Sequence, residues 1–132
     1  MYLLYLLIRN SYQKIEIKIK EKRLRLLLAD SYLKKAIGLM YRDNMPYDGM
    51  LFLFNKPSKA GIFMLNMRFP INIFWLNEKG IIFDRKINAK PCNIFNCTTY
   101  VPRKKAKFVI ETKVSNKFNI GDKAYIPLFS TK

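Results

Sequence analysis

From Lys14 to Lys20 polar and apolar residues alternate, with Ile15, Ile17 and Ile19 facing one way and Lys14, Glu16, Lys18 and Lys20 the other. A strand turns successive side chains to opposite faces, so this segment predicts a half-buried strand. Glu21-Lys22 reads as a turn. Arg23 to Ala29 resumes as a second strand whose end, Leu26-Leu27-Leu28-Ala29, becomes continuously apolar and is therefore expected to be covered on both faces. The pair predicts a hairpin with a basic outer face. Asp30-Ser31 then offers N-cap chemistry, and Tyr32, Leu33, Ala36, Ile37 and Met40 recur at helical spacing opposite Lys34 and Lys35. One short amphipathic helix is expected over Ser31 to Met40. Gly38 inside it implies close packing or an early helix end.

Beyond the turn signals Pro46 and Asp48-Gly49, apolar runs follow from Met50 to Phe54 and from Gly61 to Met67, separated by a loop containing Pro57. Pro70 interrupts the pattern. Ile71 to Leu76 predicts a strand, Asn77 to Gly80 a turn, and Gly80 to Ile87 its antiparallel partner. Lys107 to Thr112 and Lys123 to Ile126 predict two more strands, with a turn or short helix around Ser115 to Asn119. Short strands at close spacing around one helix indicate a mainly β fold, a compact barrel or sandwich of mostly antiparallel strands. No linker or repeat divides the chain, so residues 1–132 are expected to form a single domain. The run from Met1 to Ile8 is far shorter than the roughly 20 residues of a spanning helix and is expected to be a first strand or docked terminus. No small-residue cleavage site follows it. The chain as it stands therefore reads as cytoplasmic, or as extracytoplasmic if the run is the remnant of a longer leader.

The 132 residues include 25 Lys and Arg against 9 acids, a net charge of +16, while half are apolar and 14% aromatic. That apolar share supports a packed core despite the charge. The charge raises nucleic acid as a partner, through the faces Lys14 to Arg25 and Arg103 to Lys107. Such a surface would also need exposed aromatics among its cations, and most aromatics here lie in apolar runs. Absent residues narrow the chemistry further. There is no His, which removes Ser-His-Asp and Cys-His catalysis and the commonest metal ligand. Two Cys without His cannot supply a four-ligand zinc site, and the carboxylates are scattered. No glycine-rich phosphate loop occurs. No metal and no cofactor is implied, and catalysis would have to use thiol or carboxylate chemistry.

Cys92 and Cys97 stand in a non-helical segment opened by Pro91. A structural disulfide is one reading, worth roughly 2 kcal/mol by loop entropy. It would point to an extracytoplasmic setting or to a thermophile-type exception. The other reading is a reactive pair, its thiolate favoured by Lys90, Arg103, Lys104 and Lys105.

Several motifs occur together and in order: Gly38-Leu39-Met40-Tyr41-Arg42, Asp48-Gly49-Met50-Leu51-Phe52, the run Phe63 to Trp75, Pro91-Cys92 with Cys97 and Tyr100, Ala106 to Glu111, and Gly121-Asp122. From about Leu28 to Tyr125 this set resembles the family catalogued as domain of unknown function 192. The resemblance implies a small β-rich barrel or sandwich with a short helix, in proteins that often look exported, without an established activity. Two positions depart from it. Asn72 stands where similar relatives usually carry Asp, and Phe63-Met64-Leu65 where Trp-Met-Lys is common. Phe63, Ile71, Ile73 and Trp75 are expected in the core. Arg42, Met64, Asn66, Asn72 and Tyr100, with Met67, are the candidate lining of a small-ligand pocket, since a few placed polar groups among apolar ones suit such a site. The leading expectation is a non-enzymatic domain that binds a small molecule or a protein. The alternatives are a nucleic-acid-binding β domain and an enzyme using thiol or carboxylate chemistry.

Overall fold

The computed structural model describes residues 2–127. In chain order the elements are α1 (Tyr2–Arg9), β1 (Gln13–Ile19), β2 (Lys22–Ala29), α2 (Tyr32–Ile37), β3 (Gly49–Ser58), β4 (Ile62–Phe63), β5 (Ile71–Leu76), β6 (Ile82–Ala89), β7 (Thr99–Tyr100), β8 (Ala106–Thr112) and β9 (Ala124–Tyr125). Seven strands form one sheet in the order β6-β5-β8-β3-β2-β1-β9, and β4 pairs with β7 separately. The fold is mainly β, as expected. The large sheet curls into a half-barrel, and backbone bonds join its two ends. Ala124 N donates to Gly80 O at 2.8 Å, Ile82 N to Asp122 O at 2.9 Å and Gly121 N to Ile82 O at 2.8 Å.

The curl divides the apolar residues between two faces. The alternation of β1 sends Ile15, Ile17 and Ile19 into the interior with Leu24, Leu26, Leu51, Phe74, Phe108 and Ile110. On the outer face Leu27, Met50, Phe52, Ile73, Trp75 and Val109 form a second core. The apolar end of β2 serves both, which is why its alternation breaks there.

Several boundaries differ from the sequence pattern for local reasons. The β1–β2 turn is Lys20-Glu21, because Ile19 pairs with Lys22. β2 and β3 are parallel, joined by the crossover through α2, whereas the other sheet pairs are antiparallel. Ser31 caps α2 by accepting from Lys34 N at 3.2 Å. The helix stops at Gly38, whose φ of +50° favours glycine; a Cβ there would meet the Phe52 ring at an ordinary contact distance of 3.4 Å. β3 continues through Pro57, with a register shift between Leu53 and Ser58. The N-terminal run is a helix and not a strand, with Met1 outside the described residues. Its Tyr and Leu residues tolerate helix well, and β9 takes the edge of β1 at Lys18 and Ile19. The Tyr5 hydroxyl donates to Met40 O at 2.8 Å, docking α1 beside α2.

Candidate functional site

β8 alternates like the other strands, so Phe108 and Ile110 enter the interior while Val109 lies on the outer face. Glu111 shares that outer face, between Met50 of β3 and Ile73 of β5. An acid has thus been placed in an apolar layer. It is only 4% exposed, and among the described residues no hydrogen bond or ion pair reaches its carboxyl group. Burial penalises the charged form and raises its pKa from 4.5 to about 8.

Glu111 lines a cavity of about 260 Å³ beneath α2. Phe52 and Phe54 of β3, Ile62 and Phe63 of β4, and Met40 and Met67 from the loops form its apolar walls. Two glycines set the geometry. Gly38 ends α2 above Phe52, and Gly49, at φ +143°, lets β3 approach β8 so closely that a Cβ would lie 1.9 Å from Glu111 O. At the rim, Lys35 Nζ donates to Leu53 O at 2.9 Å and sits 4.6 Å from the centre of the Phe54 ring. Partial burial lowers its pKa. Phe63, expected in the core, is 51% exposed and forms part of the mouth. Its two-residue strand lies outside the main sheet, so only one side of it is covered.

A larger cavity of about 680 Å³ opens along the β1–β9 edge and extends to Pro127. Its ionic groups include Glu16 and Arg23, which are exposed and paired at 3.2 Å. No unpartnered buried carboxyl lies there. The chemistry therefore points to the smaller cavity.

Of the residues singled out from sequence, Met67 lines this cavity, whereas Arg42, Met64, Asn66, Asn72 and Tyr100 are not in its lining. Arg42 is buried on the α1 side, where Nη2 donates to Arg9 O at 3.1 Å, the guanidinium lies 5.8 Å from the Tyr12 ring, and Nε has no partner among the described residues. Burial, followed by the charge of Arg9, lowers the pKa of Arg42. Tyr12 lies within electrostatic reach of both Arg42 and Glu111, and its pKa is raised to about 12, chiefly by burial. Met64 is 1% exposed, and its carbonyl accepts from Met67 N and Cys92 N. Asn66 occupies a left-handed turn at φ +65°, where its carbonyl accepts from Tyr41 N at 2.8 Å. Tyr100 packs against the outer core, with Lys86 Nζ 5.3 Å from its ring centre.

Asn72 lies on the other side of the sheet. Its neighbours Ile71 and Ile73 face the outer core, and its own side chain turns inward to the loop after β8. Nδ2 donates to Val114 O at 3.1 Å and Asn116 O at 2.9 Å, while Oδ1 accepts from Asn88 N at 2.7 Å. Every polar atom of the amide is engaged.

Cys92 and Cys97 stand at disulfide distance with Cα atoms 5.0 Å apart. Beside the basic outer face of the hairpin, Lys14 Nζ and the Arg25 guanidinium lie 4.8 and 5.9 Å from the ring centre of the exposed Tyr47, in the turn before β3. Along Arg103 to Lys107, Arg103 N donates to Asp84 and Lys107 Nζ to Asn55 O. Among the described residues no group of three or more Cys, Asp and Glu is arranged to hold a metal ion, and no helix is long and apolar enough to cross a membrane.

The family profile for DUF192, described as an uncharacterized ACR, matches residues 14–121. The match includes the β1–β2 hairpin, which precedes most of the motif resemblance. Two solved structures share the fold. One is a candidate transcription regulator from Sinorhizobium meliloti, 25% identical, with TM-score 0.79 over 88% of this chain and 95% of that one. The other is a protein of unknown function from Novosphingobium aromaticivorans, 24% identical, with TM-score 0.74 over 87% of this chain and 86% of the other. No curated protein matches the sequence.

Proposed function

The chain belongs to the uncharacterised DUF192 family, and from that premise we propose that it is a small-molecule binding domain whose site is the cavity under α2. The observation that carries this reading is Glu111, a buried carboxyl without a protein partner at the wall of an apolar cavity. Buried polar groups are ordinarily hydrogen-bonded, and an exception calls for a ligand or another function. A concave apolar surface with few polar groups is also the usual form of a small-molecule site. The neighbouring Arg42, Met64, Asn66 and Tyr100 support the surrounding loops in this reading, while Asn72 fixes the opposite face.

Binding is favoured over catalysis because only Lys35 and Tyr32 among the other lining residues can exchange a proton. Lys35 is engaged by Leu53 O, and Tyr32 is largely exposed. A fragment screen followed by backbone amide NMR tests the site. Shifts concentrated at residues 32–40, 60–67 and Glu111 are expected; shifts confined to the β1–β9 edge would contradict it. A second reading, a nucleic-acid surface, draws on Tyr47 between Lys14 and Arg25. It predicts single-strand binding that weakens steeply with salt. No binding at low salt would remove it.

A further inference from the structure

Resting on that binding reading, we propose that the ligand is a small organic amine with an apolar body, its ammonium paired with Glu111 and its body held among Phe52, Phe54 and Phe63. Three observations converge. The carboxyl is the acid in the lining, and no described group neutralises it. A buried carboxyl without a partner avoids its charge by keeping its proton, and it ionises favourably only where a cation comes into contact with it. The aromatic walls provide the second attraction, because ring faces draw cations, especially desolvated ones. The Lys35 ammonium already lies 4.6 Å from the Phe54 ring centre, so this wall accommodates a cation in the protein itself. Finally, the volume of about 260 Å³ suits a body of about one aromatic ring rather than a larger ligand.

The net charge of +16 acts against a cationic ligand and would draw an anion. That effect is long-ranged, however, and exposed charges are screened beyond about 10 Å at 0.1 M salt. At contact an anion would gain no ion pair from the neutral, protonated carboxyl and would sit among apolar walls, whereas an ammonium gains one once the carboxyl gives up its proton. That difference at contact favours the amine. Of the groups around Glu111, α2 supplies Lys35 and Tyr32, the segment before β1 supplies Tyr12, and β3 and β4 supply apolar walls; the Lys35 charge works against the amine, but its ammonium is engaged at the rim by Leu53 O and the Phe54 ring. Lys35 has no ion pair with Glu111, so the carboxyl can take a ligand cation.

The binding step transfers one proton. In the empty site burial keeps the carboxyl protonated near neutrality. An ammonium that enters pairs with the carboxylate, and the displaced carboxyl proton passes to buffer. Calorimetry on the full chain with 2-phenylethylamine, 2-phenylethanol and 3-phenylpropionate tests this. The amine should bind at least tenfold more tightly than the alcohol. At pH 7 it should release close to one proton, read from the dependence of the heat on buffer ionisation. Glu111→Gln should abolish the proton release and the preference for amine over alcohol. The wild-type proton count tests the pairing even if that variant fails to fold. Equal binding of alcohol and amine, tighter binding of the acid, or no proton release would overturn the amine assignment and leave the pocket standing. Absence of binding by all three probes at millimolar concentration would overturn the pocket reading together with it.

Discussion

Glu111 and Asn72 are two polar residues in buried strands, and their surroundings give them opposite roles. Glu111 lacks a partner, so its proton belongs to the folded state. Between its ordinary pKa of 4.5 and about 8 the native chain holds a proton that the unfolded chain releases. Its contribution is therefore fully present below the lower value and is lost as pH rises through the upper one. Urea unfolding from pH 5 to 8 should show wild-type stability falling more steeply than that of Glu111→Gln, by up to about 1.4 kcal/mol per pH unit. Parallel profiles would contradict this. Asn72 has partners on every polar atom. Asn72→Asp replaces a two-bond donor with a buried acceptor. It should cost about 2–4 kcal/mol at pH 7 and less in acid, where the carboxyl can donate again. Denaturation at two pH values checks both parts.

At the scale of elements, much of the sheet was legible because burial imposes a period. The alternation of Ile15, Ile17 and Ile19 predicts β1, and Ser31 followed by a helical stripe predicts α2. The parallel β2–β3 pairing was not legible, since α2 is a crossover too short to announce one by length. Helix α1 was read as a strand or docked terminus because a short apolar run has no distinguishing period. Phe63 was misplaced because hydrophobicity does not reveal that β4 stands apart from the main sheet. The site was less legible still. Glu111 belongs to a strand read as a whole, and the available signal was an acid following Val109 and Ile110 without interruption. Its setting also depends on Gly49, which permits the approach of β3 to β8. Gly49→Ala should destabilise the fold by roughly 3 kcal/mol or more, by forcing both a clash and an unfavourable backbone. Thermal unfolding would measure it, and an unchanged Tm would show that the strands can separate at no cost.

On the scale of the molecule, the curled sheet separates two tasks. Its interior, bridged from β6 to β9, supplies an apolar core. The outer face carries a second core, and there α2 and β4 leave the cavity that reaches Glu111. The absence of His removes the Ser-His-Asp and Cys-His arrangements, and the proposed binding role rests on Glu111 at the wall of the aromatic cavity. The most direct measurement is a crystal structure of the full chain grown with 2-phenylethylamine. The expected result is the amine nitrogen within hydrogen-bonding distance of the Glu111 carboxylate, with its ring between Phe52 and Phe63. A cavity closed by its own side chains, with the amine absent or bound at the β1–β9 edge, would contradict the account.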